Sequence, residues 1–463
     1  MRIGLFTDSY HPASNGIVVV IDSLRRELEA AGHEVYIFAP DGSVSPQVTK
    51  IREKVSLGLG DKIRNKLPKP LQKKFKSSAD FSRKIMDDDD HVIRLPAIQY
   101  DMQLSLFFPP HVMRIVKELH LDVIQLFTPG QLGLMAAYAA RKTGAVLVAQ
   151  HSTDAYEFSK NYPSIILGCF FAGFLAPIVR KMSPREQMNF AKVYLSPRRF
   201  ESDEKWGQRL VAGFTSVLYA GCDGVVAVSQ KSSDQLKKFA SRQHEKLNLS
   251  VIPTGVDTIS RPKDFAKQIS KFREKHQISD RDEIVLNFGR MAEEKNLPLL
   301  IEMMPQLLRE RPNAKLVFAG DYIFREKLEE LAKKSPCSDR IIFIGRYDRS
   351  QLPVICATAS LFAFPSLTDT QALVLNEAAG QNLPIVMVDR SGVNDVFREN
   401  ENGLFAKNSA HDFAKKCNAI LADSELRERF AFRSGELAQE FSEKSQTQKL
   451  IKLYRELLRT PIK

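Results

Sequence analysis

A chain of 463 residues with 43% hydrophobic content and a formal net charge of +12 is too long for a single core. It fits two domains of about 200 residues each, and its composition excludes a disordered chain without calling for a membrane-embedded one. The five cysteines (Cys169, Cys222, Cys337, Cys356, Cys417) have neither pairing nor metal-type spacing and read as reduced thiols. The opening M-R-I-G-L-F-T-D lacks the apolar region of a signal peptide, so a cytoplasmic protein is expected.

Strands and helices alternate from the start. Residues 2–6 predict a strand, 16–31 a helix and 35–39 a second strand. Between the first strand and the helix lies T-D-S-Y-H-P-A-S-N-G-I. Gly16 would let the backbone approach a ligand there, and the helix N-terminus that follows favours negative charge. A single glycine in such a loop equally fits an ordinary helix-start turn.

The positive charge is concentrated. Residues 50–84 hold twelve Lys/Arg against Glu53, Asp61 and Asp80, with Ile51, Leu57, Leu67 and Phe75 among them. A basic segment punctuated in this way suits an anionic membrane surface, at about 1 kcal/mol per nearby Lys/Arg. A solvated insertion, broken by Pro68 and Pro70, is the plainer alternative, and no nucleic-acid motif supports a third. Asp87 to Asp90 follow. Neighbours in sequence do not point at one centre, so they read as a solvated run rather than a metal site.

Residues 109–119 predict a helix, and 123–127, 145–149 and 224–228 predict strands. His151 ends the strand-like V-L-V-A-Q-H-S-T-D; alone, it reads as an ordinary hydrogen-bonded histidine. Residues 163–179 are uncharged throughout, just short of the roughly 20 needed to span a bilayer, and Gly168, Gly173 and Pro177 weaken a spanning helix. The stretch fits a buried helix, or an apolar surface that meets a bilayer or a lipid. Residues 180–209 carry eight basic and four acidic side chains and read as a further insertion.

The second half repeats the rhythm at 284–288, 315–319, 341–344 and 361–364. Two such halves meeting near Val256-Asp257 predict an α/β fold of two doubly wound parallel sheets. G-R-M-A-E-E-K-N-L follows Phe288. Arg290, beyond a strand, and Lys295, entering a helix, can converge on a diphosphate as a planar fork and a point charge. A surface arginine and a helix-start lysine beside Glu294 is the alternative.

The most informative stretch is 362–389, F-A-F-P-S-L-T-D-T-Q-A-L-V-L-N-E-A-A-G-Q-N-L-P-I-V-M-V-D. A polar turn with Asp369 and a helix-like segment with Glu377 sit between two apolar runs. That order puts both acids at the carboxyl edge of a parallel sheet, where such folds bind ligands. Two carboxylates beside the N–H groups of a helix start suit a sugar hydroxyl, a ribose and a phosphate.

These motifs resemble glycosyltransferase family 4, retaining enzymes of the two-domain GT-B fold. The family's P-S-x-x-E-x-F-G-L-x-x-x-E-A is met by Pro365, Ser366, Leu373, Glu377 and Ala378, with Asp369 as the first acid and Gln371-Ala372 for Phe-Gly. The Thr370-Gln371 pair is similar to the branch that glycosylates diacylglycerol. Asp8, Tyr10, Pro12 and Gly16 match D-x-Y-x-P-x-x-x-G-V, and Gly289, Arg290, Glu294, Lys295 and Asn296 match G-R-x-x-x-E-K-N. His151 matches the histidine of an H-T-x-Y-E segment. Thr254, Gly255 and Asp257 match an interdomain turn, and Gly320-Asp321-Tyr322 stands where G-x-G-P is usual.

The resemblance implies two Rossmann-like domains facing a cleft. The first would be 1–257, with basic insertions at about 49–90 and 180–210, completed by a C-terminal helix at about 440–463; the second, 258–439, would bind the nucleotide sugar. Glu377 would hold the ribose, Asp369 the sugar, and Arg290 and Lys295 the diphosphate. His151 would position the sugar, and Gly16, Gly289, Thr370, Gln371, Ala372 and Leu373 would line the donor site. No metal or other cofactor is expected beyond the nucleotide sugar, for which UDP-glucose is the subgroup's commonest choice. The expected reaction is retaining transfer to a membrane lipid such as diacylglycerol, by a protein peripheral on the cytoplasmic face. A soluble family member acting on a sugar or sugar phosphate, and a catalytically silent nucleotide-sugar-binding protein, fit the same residues.

Overall fold

The computed structural model describes residues 1–11, 16–40, 91–95, 97–99, 103–105, 110–152, 154–159, 163–173, 206–242, 246–367, 369, 371–389 and 396–459, with isolated positions between 184 and 191. The basic segment 50–84, the aspartates 87–90, residues 174–183, most of 180–205 and Thr370 lie outside the described residues. The chain divides into two compact units. One comprises Met1–Val228, Ser232–Ile252 and Thr447–Lys463; the other comprises Ser229–Lys231 and Pro253–Gln446.

In the first unit the strands are β1 (Arg2–Phe6), β2 (Glu34–Pro40), β3 (Val92–Leu95), an antiparallel hairpin of β4 (Ala97–Gln99) and β5 (Gln103–Ser105), β6 (Val123–Leu126), β7 (Val146–His151), β8 (Gly224–Ala227) and β9 (Leu249–Val251). All but the hairpin form one seven-stranded parallel sheet in the order β3-β2-β1-β6-β7-β8-β9. Its central strands are continuous apolar runs because helices cover both faces; β7 is buried along its whole length. The order reverses between β1 and β6. There Asp8, in the loop after β1, accepts from the Leu132 N–H at 3.0 Å and from the Thr128 hydroxyl, capping the helix Gln131–Thr143 from a distant part of the chain. Gly130 makes room, since a Cβ there would lie 2.2 Å from the Asp8 carboxylate.

Part of the apolar stretch 163–179 is now accounted for. It forms the helix Pro163–Gly173, which packs on the helix Trp206–Ala220. Ile166 fills the space above Gly207, and Cys169 is buried in the core of the unit. Among the described residues, no helix is long and apolar enough to cross a membrane.

The last helix, Glu443–Arg459, begins in the second unit, and from Thr447 onward it belongs to the first. Its start is held by the turn at 254–257. Val256 N–H donates to Phe441 O at 2.9 Å, Glu443 N–H donates to the Asp257 carboxylate at 2.9 Å, and a Cβ on Gly255 would lie 2.4 Å from Glu443 Cα. Further along, Leu457 packs on Gly224, and the buried Tyr454 hydroxyl donates to Gln125. Gln125 in turn donates to Gln150 at 2.6 Å, and Gln150 to the Ser152 hydroxyl at 3.0 Å. Tyr454→Phe removes the first donor and leaves a buried amide oxygen short of a partner. It is expected to cost about 1–3 kcal/mol, read as a lower Tm with activity at low temperature retained.

The second unit is a six-stranded parallel sheet ordered β12-β11-β10-β13-β14-β15, with β10 (Glu283–Phe288), β11 (Ala314–Ala319), β12 (Ile341–Gly345), β13 (Leu361–Phe364), β14 (Ile385–Val388) and β15 (Gly403–Ala406). Alternate residues feed two cores, one on each face. Val285, Leu316, Leu361 and Val386 enter one; Leu286, Val317, Phe362 and Ile385 enter the other. The order reverses between β10 and β13, whose pairing register covers only Val285–Leu361 and Leu286–Phe362. Beyond it the Asn287 side chain donates to Ala363 O at 2.8 Å. Backbone pairing thus ends two residues before the carboxyl ends of these strands, where such sheets open a ligand crevice.

Candidate functional site

The sequence-predicted residues of the second unit gather at that reversal. Gly289 follows β10 with φ +126° and Gly320 follows β11 with φ +142°; a Cβ on Gly320 would lie 1.9 Å from the Gly289 carbonyl oxygen. The two strand ends meet backbone to backbone, a contact only glycine permits. The fold itself therefore requires both glycines.

Arg290 donates to Glu294 at 3.0 Å and lies 4.8 Å over the Tyr322 ring, so its guanidinium plane is held from two sides. Lys295 does not enter a helix, as the sequence suggests. It ends the short 3-10 turn Glu293–Lys295, and the helix begins only at Pro298. Asn296 stands between them in the left-handed region, φ +55°, which asparagine tolerates better than most residues. Its side chain donates to Pro365 O at 3.1 Å and to Asn408 at 2.9 Å, tying this turn to the loop after β13.

That clamp brings Lys295 onto Asp369. The ammonium donates to Oδ1, with 22% of the lysine side chain and 12% of the aspartate side chain exposed, so Lys295 is more enclosed than a cleft-surface lysine would be. Asp369 Oδ2 and the Ser366 hydroxyl are buried and have no hydrogen-bond partner among the described residues. Buried polar atoms without a partner are uncommon, and a hydroxylated ligand would satisfy both. Arg290 and Lys295 do not share one acid: Glu294 holds the first and Asp369 the second.

Gln371 exchanges two hydrogen bonds with the Thr254 backbone, at 2.8 and 2.9 Å, so its side chain is committed and only its backbone remains to serve a ligand. The Ala372 methyl is buried in the core of the second unit. Leu373 opens the helix Leu373–Gly380, which carries Glu377 with 17% of its side chain exposed. Burial pushes this carboxyl above the ordinary range, while the Arg349 guanidinium, 3.1 Å away, pulls it down. Arg349 belongs to none of the sequence motifs, and no sequence signal points to it.

In the first unit, His151 is the last residue of β7 and is 2% exposed. Its Nδ1 lies 3.3 Å from the Tyr219 hydroxyl, and its Nε2 is buried with no partner among the described residues. Burial lowers its pKa below the usual 6.5, opposed by Asp154, so the ring is neutral. The unfolded chain then takes up this proton first. Stability is unaffected above about pH 6.5 and falls as the pH drops below it, by up to about 1.4 kcal/mol per pH unit. Melting curves from neutral to mildly acidic pH should show a steeper loss for the wild type than for His151→Gln. Gly16 opens the helix Gly16–Ala30, and a Cβ there would meet no described residue within 4 Å.

The crystal structure of Anabaena HepE in complex with UDP matches this fold with a TM-score of 0.64 at 17% identity, covering 98% of this chain and all of that one. Two parallel-sheet units of this kind constitute the GT-B fold of glycosyltransferases. The alpha-monoglucosyldiacylglycerol synthase of Streptococcus pneumoniae is 24% identical over 92% of this chain and 80% of its own, and that of Acholeplasma laidlawii is 22% identical over 88% and 84%. The Glycosyltransferase Family 4 profile covers residues 14–259, and the profile described as glycosyl transferases group 1 covers residues 268–434. The chain belongs to glycosyltransferase family 4.

Proposed function

We propose that this protein is a retaining glycosyltransferase that moves glucose from UDP-glucose to a membrane lipid such as diacylglycerol. The observation that carries the donor site is the Lys295–Asp369 pair beside the β10–β13 reversal, with Asp369 Oδ2 buried and unpartnered. A sugar hydroxyl donating to Oδ2 completes the carboxylate, and the ammonium beside it faces the diphosphate. Arg290, braced by Glu294 and Tyr322, adds a planar fork of donors. Glu377 accepts from the ribose. The backbone around Gly289 and from Thr370 to Leu373 lines the donor, Gly16 approaches it, and His151 positions the sugar. Thr370 holds its place in this assignment on the sequence alone.

In the reaction, the bond between the anomeric carbon and the diphosphate oxygen breaks while the acceptor oxygen bonds to the same face. The leaving diphosphate oxygen takes the acceptor's proton, so no separate general base is assigned. Arg290 and Lys295 meet the charge growing on that oxygen, and we assign no metal or other cofactor. Support for a lipid acceptor comes from the two alpha-monoglucosyldiacylglycerol synthases that align with most of the chain. The basic segment 50–84 supports a peripheral position on an anionic, cytoplasmic membrane face.

The test is incubation with radiolabelled UDP-glucose, UDP-galactose and GDP-mannose and with vesicles that contain diacylglycerol, with and without anionic lipid. Label from UDP-glucose entering the organic phase, faster on anionic vesicles, is the expected result. Label released only as free sugar would contradict the lipid acceptor, and no consumption of any donor would contradict the enzyme.

A further inference from the structure

We propose that Arg349 is a positioning residue for the nucleotide: it holds one carboxylate oxygen of Glu377 and leaves the other to accept from the ribose hydroxyls. The inference rests on the reading of Glu377 as the ribose ligand.

The pair is asymmetric. Arg349 lies beyond β12 with 45% of its side chain exposed, whereas Glu377, on the helix Leu373–Gly380, is largely enclosed. The arginine is itself held. Its neighbour Asp348 forms a capping box over the turn Arg349–Gln351, accepting from Ser350 N–H at 2.8 Å, while Gln351 accepts from Asp348 N–H at 3.0 Å. The cation is thus delivered to Glu377 from a fixed turn on a different element. Among the described residues, Tyr347 and Cys356 also feel the Glu377 charge; both are neutral and both are pushed up chiefly by burial, with Glu377 adding to the shift. Neither supplies positive charge. Without Arg349 only burial would act on this enclosed acid, so it would hold its proton to higher pH, and a protonated carboxyl offers less acceptor capacity to a pair of hydroxyls.

Ionised Glu377 binds the nucleotide, so removing Arg349 should weaken binding most at low pH, and raising the pH should restore it. Calorimetric titration of the full chain with UDP and GDP, the tighter ligand being carried forward, would compare wild type, Arg349→Met, Arg349→Lys and Glu377→Gln from about pH 6 to about pH 9. Arg349→Met is expected to bind about tenfold or more weakly at the acid end, with the gap closing toward the alkaline end. Arg349→Lys, which keeps the charge, should retain most of the affinity and covers the case in which methionine disturbs the turn. Glu377→Gln should be weak throughout. Wild-type affinity in Arg349→Met at every pH, with Glu377→Gln weak, overturns the role of Arg349 alone. A deficit of constant size at every pH overturns positioning in favour of direct contact with the nucleotide. Wild-type affinity in Glu377→Gln overturns the ribose reading itself.

Discussion

Lys295→Ala is expected to lower kcat by about 10²–10³-fold, or about 3–4 kcal/mol of transition-state stabilisation, with the protein still folded. Asn296, in its left-handed conformation, ties the turn Glu293–Lys295 to Pro365, and this sets the ammonium on Asp369. The proposed reaction builds negative charge on a diphosphate oxygen, and a largely enclosed ammonium is worth more there than a solvated one. Its loss should therefore appear in kcat more than in KM, because the charge it meets develops as the bond breaks. A second consequence is local. Asp369 would keep one buried oxygen without a partner and lose the cation on the other, so donor affinity should weaken as well. Turnover like that of the wild type would remove Lys295 from the site.

Gly320→Ala should cost stability rather than chemistry. At φ +142° the backbone is one that side chains rarely adopt, and the added Cβ would sit 1.9 Å from the Gly289 carbonyl oxygen. The obstacle is main chain at the end of β10, so no rotamer change relieves it. Strain and clash together should cost roughly 3–5 kcal/mol, a large part of a typical domain's margin. The expected result is a Tm drop of many degrees with a transition that belongs to the second unit. Gly168→Ala is the contrast. It lies on an exposed helical position where a Cβ meets no described residue within 4 Å, so alanine should be neutral or stabilising by about 0.5–1 kcal/mol. Equal behaviour of the two variants would contradict the backbone contact between Gly289 and Gly320.

The fold was legible where apolar runs are long. β1, β10 and β13 stand out in the sequence because strands buried on both faces are continuously hydrophobic. β9 did not stand out. Its three residues Leu249–Val251 lie at the sheet edge and are half buried or exposed, so they carry little pattern. The hairpin of β4 and β5 was missed because its strands are three residues each, and the edge strands β3 and β15 because they are only partly buried. At the site, the order of apolar run, polar turn and helix located Asp369 and Glu377 on physical grounds. The helix start was misplaced at Lys295 because E-E-K-N reads as helix-forming, while Asn296 turns left-handed and Pro298 begins the helix.

What remained illegible were the pairings. Lys295 meets Asp369 across 74 positions, Asn296 meets Pro365 across 69, and Gln371 meets Thr254 across 117. Such contacts depend on how the strands are ordered in the sheet, which spacing along the chain does not encode. Arg349 belongs to the same group. Within its own segment it is an ordinary turn residue, and only the folded second unit sets it against Glu377.

Retaining transfer of glucose from a uridine nucleotide to a lipid leaves a stereochemical mark on the product. The most direct measurement is proton NMR of the glycolipid extracted after the protein has acted on UDP-glucose and diacylglycerol vesicles. An α-anomeric glucosyl proton on diacylglycerol is the predicted result, since the donor is itself α-linked and its face is kept. A β-anomeric product, or free glucose with no glycolipid, would contradict it.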